Sequence, residues 1–308
     1  MSPAPTPYDF RLGIDLGGTK IEIIALGRDG EFSHRTRIST PAGYPDTVQA
    51  IADLVLGAEQ ALGGRGSVGI GIPGVISPAT GLVKNANSIA LNGHSFDKDL
   101  EAKLGRAVRV NNDANCFTLS EASDGAGAGY RTVFGVIVGT GCGGGIVVDA
   151  KLVPGPNMVA GEWGHIPLPW PTAEELPGIQ CWCGQRGCME RYVSGTALAI
   201  DCDGPDARDA SGIPARAAAG EEKAKAALAR HADRMGRGLA VIVNILDPDV
   251  IVLGGGLSNM GHLYDELPKV MKQRVFSDFV NTPVVKNKHG DSSGVRGAAW
   301  LWPAPATA

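Results

Sequence analysis

The chain has 308 residues, 44% of them hydrophobic and 19% charged, which excludes a disordered chain and calls for two lobes rather than one small core. A formal net charge of −4, with a pI near 5.9, leaves no basic field to gather nucleic acid or anionic lipid. There is no apolar run of about 18 residues to suggest a membrane span, and residues 1–7 lack the charged and apolar regions of a secretory signal, so a loose tail and a cytoplasmic protein are expected.

In chain order, Arg11 to Leu16 is a β-prone run that meets Gly17-Gly18-Thr19, and residues 21–26 read as the returning strand of a hairpin. Residues 33–38 add a third strand. Val48, Ile51, Leu54, Val55 and Ala58 recur at helical spacing, which predicts a helix over 47–61 covering that sheet. Strands over 68–72 and 108–110 run into Pro73-Gly74 and Asn111-Asn112-Asp113, with a helix from about Cys116. The theme then restarts: a strand at 133–138, a glycine turn at 139–145, a returning strand at 146–148. Residues 154–187, rich in Gly, Pro, Trp and Cys, read as an ordered insertion not held by an ordinary core. A helix is expected from 221 to 246, where Asp247-Pro248 stops it, followed by a strand at 250–253 that opens into Gly254-Gly255-Gly256.

Three glycine turns at strand ends point to a nucleotide. In Asp15-Leu16-Gly17-Gly18-Thr19-Lys20 the strand delivers a carboxylate where Mg²⁺ could sit, while bare N–H groups and the Thr19 hydroxyl can face phosphate oxygens. An ordinary hairpin turn would have the same letters. Gly139-Thr140-Gly141-Cys142-Gly143-Gly144 is the second turn. It also spells a dinucleotide fingerprint, but a strand follows it where that fold needs a helix, so a nicotinamide oxidoreductase is disfavoured. Gly254-Gly255-Gly256 would let a flat adenine or ribose approach the backbone.

The six cysteines do not form a disulfide framework: three crowd into Cys181-Trp182-Cys183-Gly184-Gln185-Arg186-Gly187-Cys188, and His165 precedes them. Three thiolates and an imidazole predict a closed, structural Zn²⁺ shell with no open position for chemistry. Asp113 is a candidate general base with Asn112 orienting the acceptor, although an N-cap would look the same. Glu162 and Glu190 bracket the cysteine segment and are candidates for binding sugar hydroxyls, against the usual surface fate of glutamate.

Taken in order, Gly13-Ile14-Asp15-Leu16-Gly17-Gly18-Thr19-Lys20, Gly71-Ile72-Pro73-Gly74, Val83-Lys84-Asn85-Ala86-Asn87, Asn112-Asp113-Ala114-Asn115, Gly139-Thr140-Gly141-Cys142-Gly143, Gly161-Glu162-Trp163-Gly164-His165 and the cysteine cluster ending in Glu190 resemble the bacterial ROK sugar kinases. Within that family, 244–256 and 289–297 look most like the branch of fructokinases that also accept mannose. The resemblance implies an α/β, actin-like (ribonuclease H-like) fold with two lobes about a cleft. The first lobe would be 1–113 and the second 114–293, carrying the insertion 154–190, with a last helix over 294–303 returning to the first. It further implies ATP, Mg²⁺ and structural Zn²⁺, with Asp113 as catalytic base. Gly74, Asn87, Asn112, Glu162, His165 and Glu190 would hold a hexose, and Gly13 would belong to the first nucleotide motif. His165, Cys181, Cys183 and Cys188 would hold the zinc. Fructose is the expected acceptor, with mannose possible and glucose or an N-acetylhexosamine the alternatives. Relatives of this kind form homodimers. A sugar-responsive regulator is the competing class, but ten residues before Arg11 are too few for a DNA-binding module.

Overall fold

The computed structural model describes residues 8–27, 29–86 and 89–305. The expected tail 1–7 and the sugar candidate Asn87 lie outside the described residues. The chain divides into two units, residues 1–128, 150–160 and 291–308, and residues 129–149 and 161–290.

In the first unit β1 (Phe10–Leu16), β2 (Lys20–Leu26) and β3 (Phe32–Ser39) form an antiparallel meander. α1 (Tyr44–Leu62) follows and buries Val48, Ile51, Val55 and Ala58 of the stripe that the helical spacing predicts, with Leu54 half-buried against the same core. Pro45 in its first turn and Gly63 beyond its end, at φ 68°, set its bounds. The chain crosses to β4 (Gly66–Ile72), passes the small hairpin β5 (Val75–Ile76) and β6 (Val83–Lys84), and runs through α2 (Phe96–Leu104) to β7 (Val108–Asn112). The sheet order is β3-β2-β1-β4-β7, with β4 parallel to both β1 and β7. α3 (Asp113–Asp124) leaves β7 at once, three residues earlier than the sequence suggests.

α9 (Ser293–Trp300) lies on β1, β4 and α3, closer than side chains would allow. A Cβ on Gly13 would stand 2.1 Å from the Val295 carbonyl oxygen, one on Gly69 1.8 Å from that of Ala298, and one on Gly297 1.6 Å from that of Cys116. Glu121, buried in α3, accepts from the Ser293 hydroxyl at 2.8 Å, and Arg296 pairs with Asp124. This packing explains why residues 114–128 group with the first unit, whereas the sequence reading cut the chain after Asp113.

The second unit repeats the plan. β8 (Thr132–Val138) and β9 (Cys142–Val148) form a hairpin, and β11 (Val250–Gly254) and β12 (Val284–Lys286) add parallel strands in the order β9-β8-β11-β12; the short β10 (Lys151–Leu152) lies in the segment 150–160 counted with the first unit. β9 begins at Cys142, so the turn is shorter than the glycine run implies. After β10 come 3₁₀ turns at Trp163–His165 and Ala173–Glu175, α4 (Glu190–Val193), α5 (Gly195–Asp203) and α6 (Ile213–Ala218). α7 (Glu222–Leu246) buries Leu228, Met235 and Leu239 and stops at Asp247, which takes φ 47° before Pro248; α8 (His262–Lys272) packs beside it.

A buried ion pair fastens the irregular segment to α7. Glu175 accepts from Arg237 and from Arg234, each at 2.8 Å, and the carboxyl and Arg237 side chains are 7% and 2% exposed. Burial alone would raise the Glu175 pKa, but these hydrogen bonds outweigh it and hold the carboxyl at about 2.

Candidate active site

Parallel strands end together, and in α/β sheets those carboxyl ends are where ligands bind. In the first unit the register sets Asp15 beside Gly71, Gly71 beside Asn111, and Ile72 beside Asn112. With strands ~4.8 Å apart, Asp15 and Asn111 stand roughly 10 Å from each other across the sheet edge. Cys116 is buried nearby, 3.4 Å from where a Gly71 Cβ would be; burial first, then the charges of Asp15 and Asp113, push its thiol well up. One thiol thus senses both carboxylates. Asp15 is itself raised, by desolvation and then by Glu22, its direct partner on β2. Glu22 is buried and bonded to Arg35 at 2.5 Å and Arg37 at 2.8 Å. A half-buried carboxylate facing a like charge is stabilised by an incoming cation, which is the chemistry the Mg²⁺ expectation requires.

The turn after Asp15 is tight: Gly17 N–H donates to Lys20 O at 3.0 Å and Thr40 Oγ1 to Gly17 O at 2.8 Å, leaving Gly18, Thr19 and Lys20 exposed. At the β7 end the capping role falls to Asn112, whose Oδ1 accepts from the N–H groups of Ala114 and Asn115. Its Nδ2 lies 3.4 Å from Gly74 O. The Asn112 carbonyl oxygen is therefore committed to the helix, and the acceptor-orienting role expected of this residue falls to its Nδ2 group. Asp113 is the first residue of α3, with Oδ1 accepting from Ala114 N–H at 2.8 Å. Gly74 adopts φ 144° in a loop where a Cβ would meet Lys84 O and Ala86.

Other glycines are also reassigned. Gly13 lies inside β1 against α9, so packing rather than a nucleotide requires it. Gly143 and Gly144 belong to β9: Gly143 O accepts from Trp163 Nε1 at 3.0 Å, and a Gly144 Cβ would strike Gly161 O and Trp163 at 2.8 Å. Gly254 is the buried end of β11. The turns proper are 139–141, closed by Gly139 N–H to Gly141 O at 3.0 Å, and 255–256, where Gly255 takes φ 76° against Val138 O. Gly139 and Gly256 face open space. Thr140 O accepts from Thr196 at 3.3 Å.

Glu190 opens α4 beside the 139–141 turn. Its Oε2 accepts from Cys142 N–H at 3.1 Å and its Oε1 from Trp182 Nε1 at 2.7 Å; a Cβ on Gly141 would lie 2.8 Å from Oε2. Glu162 is raised by desolvation, lowered in turn by His165 and raised again by Glu190, so these three polar side chains share one neighbourhood. Sequence reasoning missed Trp182 and Glu22. The signals were an indole between two cysteines and the position opposite Asp15 in the hairpin.

His165, Cys181, Cys183 and Cys188 bring their ligand atoms within 4.8 Å of one another. Cys181 Sγ lies 3.7 Å from His165 Nδ1, and Cys183 Sγ 3.6 Å from Cys188 Sγ. Tetrahedral zinc at ~2.3 Å from sulfur and ~2.0 Å from nitrogen requires S···S near 3.8 Å and S···N near 3.5 Å, so the donor set fits the ion. Burial and neighbouring thiols push Cys188 up to about 12, a burden that a cation would relieve. With Nδ1 turned to the cluster, the Nε2 of His165 is left for a second ligand.

Two sheets, each a hairpin continued by parallel strands with glycine turns at their ends, define an actin-like α/β fold of the kind that handles nucleoside triphosphates. The model of the ROK family matches residues 11–304. The N-acetyl-D-glucosamine kinase of Yersinia enterocolitica is 40% identical over 296 residues, 94% of this chain and 98% of that one. Among solved structures, ROK hexokinase from Thermus thermophilus has a TM-score of 0.84 at 30% identity, covering 94% of this chain and 96% of that one. A ROK glucokinase from Streptomyces griseus, in complex with glucose and AMPPNP, has a TM-score of 0.76 at 30% identity, covering 95% and 98%. This chain belongs to the ROK family and is a sugar kinase, a phosphotransferase with an alcohol group as acceptor.

Proposed function

We propose that this kinase transfers a phosphoryl group from MgATP to a hydroxyl of N-acetyl-D-glucosamine. The reading moves away from fructose because a relative matched over 98% of its length bears the name N-acetyl-D-glucosamine kinase. That match is the observation on which the choice of sugar rests. The Streptomyces structure, with its non-hydrolysable ATP analogue, supports a nucleotide donor.

MgATP supplies the phosphoryl group. Phosphoryl transfer asks a protein mainly for alignment and charge stabilisation. Asp15 suits the Mg²⁺ ion, and the exposed residues 18–19, 140 and 256 suit phosphate and ribose oxygens. Asp113, at the first turn of α3, takes the acceptor hydroxyl's proton. Glu162, Glu190 and His165 Nε2 bind sugar hydroxyls. Zn²⁺ on His165, Cys181, Cys183 and Cys188 braces that segment and takes no part in the chemistry.

The test is ADP release measured with N-acetyl-D-glucosamine, glucose, mannose and fructose in parallel. The reading requires the highest kcat/KM for N-acetyl-D-glucosamine; a tenfold preference for fructose would restore the fructokinase assignment.

A further inference from the structure

Trp182 is 62% exposed, so burial does not account for its position. Its indole N–H donates to Glu190 Oε1 at 2.7 Å, and its ring stands edge-on to His165, with centroids 4.9 Å apart at 86°. It therefore touches two of the side chains assigned to the sugar. It also sits between Cys181 and Cys183, so the bend that gathers the metal ligands fixes its backbone.

The consequence lies at Glu190. Each carboxylate oxygen offers two acceptor directions. Cys142 N–H occupies one on Oε2 and Trp182 one on Oε1. Anchored at both oxygens, the carboxylate cannot rotate, and it keeps one acceptor direction on each. Two fixed acceptors about 2.2 Å apart on one planar group match adjacent hydroxyls of a sugar ring. Without Trp182 a single anchor would remain, and the plane could swing about the Cys142 bond.

We propose that Trp182 is a positioning residue for the sugar, acting through its N–H on Glu190, and that the metal-binding bend is what delivers it. The proposal rests on the sugar-kinase reading of this site. It gives the indole between the cysteines a role separate from stabilising the metal.

The test compares Trp182→Phe and Trp182→Ala with wild type by calorimetric titration of N-acetyl-D-glucosamine, steady-state kinetics and zinc analysis. Phenylalanine keeps a ring but lacks the N–H. Both variants are expected to keep one zinc per chain and kcat within about twofold, while sugar Kd and KM rise on the order of tenfold. Wild-type sugar affinity in Trp182→Phe would overturn the proposal, as would a loss of affinity that only tracks a loss of zinc. If wild type binds another hexose instead, the choice of sugar fails alone, and the variants are judged by the same criteria on that hexose. A wild-type enzyme that binds no hexose refutes both readings.

Discussion

Replacing Gly297 by alanine adds one methyl group where α9 crosses α3. That Cβ would lie 1.6 Å from the Cys116 carbonyl oxygen and 2.3 Å from its carbon, backbone atoms that no rotamer can move aside. Ordinary contact begins at 3.4 Å, so the helices must part by roughly 1.8 Å. A shift of this size belongs at the upper end of overpacking costs, about 3 kcal/mol. At ~2–4 °C per kcal/mol for a unit of this size, the melting temperature should fall by about 6–12 °C. α3 carries Asp113 at its first turn, and misplacement by about 1 Å can cost on the order of 100-fold in rate. Differential scanning calorimetry and ADP release read the two effects. Gly57→Ala is the control: it sits mid-α1 with open space around its Cβ, and the same methyl should stabilise by about 0.5–1 kcal/mol. A Gly297→Ala protein that melts with wild type and keeps its turnover would refute the reasoning.

Two further perturbations test separate parts of the molecule. His231 is buried, its Nε2–H donates to Val193 O at 2.8 Å, and desolvation lowers its pKa to about 4. Its folded pKa lies below the unfolded 6.5, so its contribution is complete above 6.5 and is lost as pH falls towards 4, about 3 kcal/mol in all. His231→Gln, which keeps a donor but does not titrate, should flatten that part of the stability profile; parallel profiles would show that His231 titrates normally. Metal analysis should find one zinc per chain in wild type and in Cys202→Ser, and a large loss in Cys181→Ser or Cys188→Ser. Wild type prepared with zinc available and found without it would remove the cluster assignment.

Much of the candidate site was legible because short-range patterns carry it. The carboxylate before a glycine hairpin at Asp15 and the spacing of Cys181, Cys183 and Cys188 each depend on a few adjacent residues. The stripe of α7 was readable for the same reason. What escaped depends on partners distant in sequence. Gly13 and Gly144 look like phosphate-loop glycines, yet α9 and Gly161 with Trp163, respectively, demand their missing side chains. Asn112 and Asp113 are both competent caps, and only the backbone shows that Asn112 performs the task. Trp182 carries no signal until Glu190 is seen beside its N–H.

The central claim is that Asp113 serves phosphoryl transfer to a sugar. Its most direct test is turnover of Asp113→Asn with MgATP and N-acetyl-D-glucosamine, alongside its melting temperature and sugar affinity. The account predicts a folded variant that binds sugar like wild type while kcat falls by a factor on the order of 10²–10⁴. An Asp113→Asn enzyme turning over at the wild-type rate would contradict it.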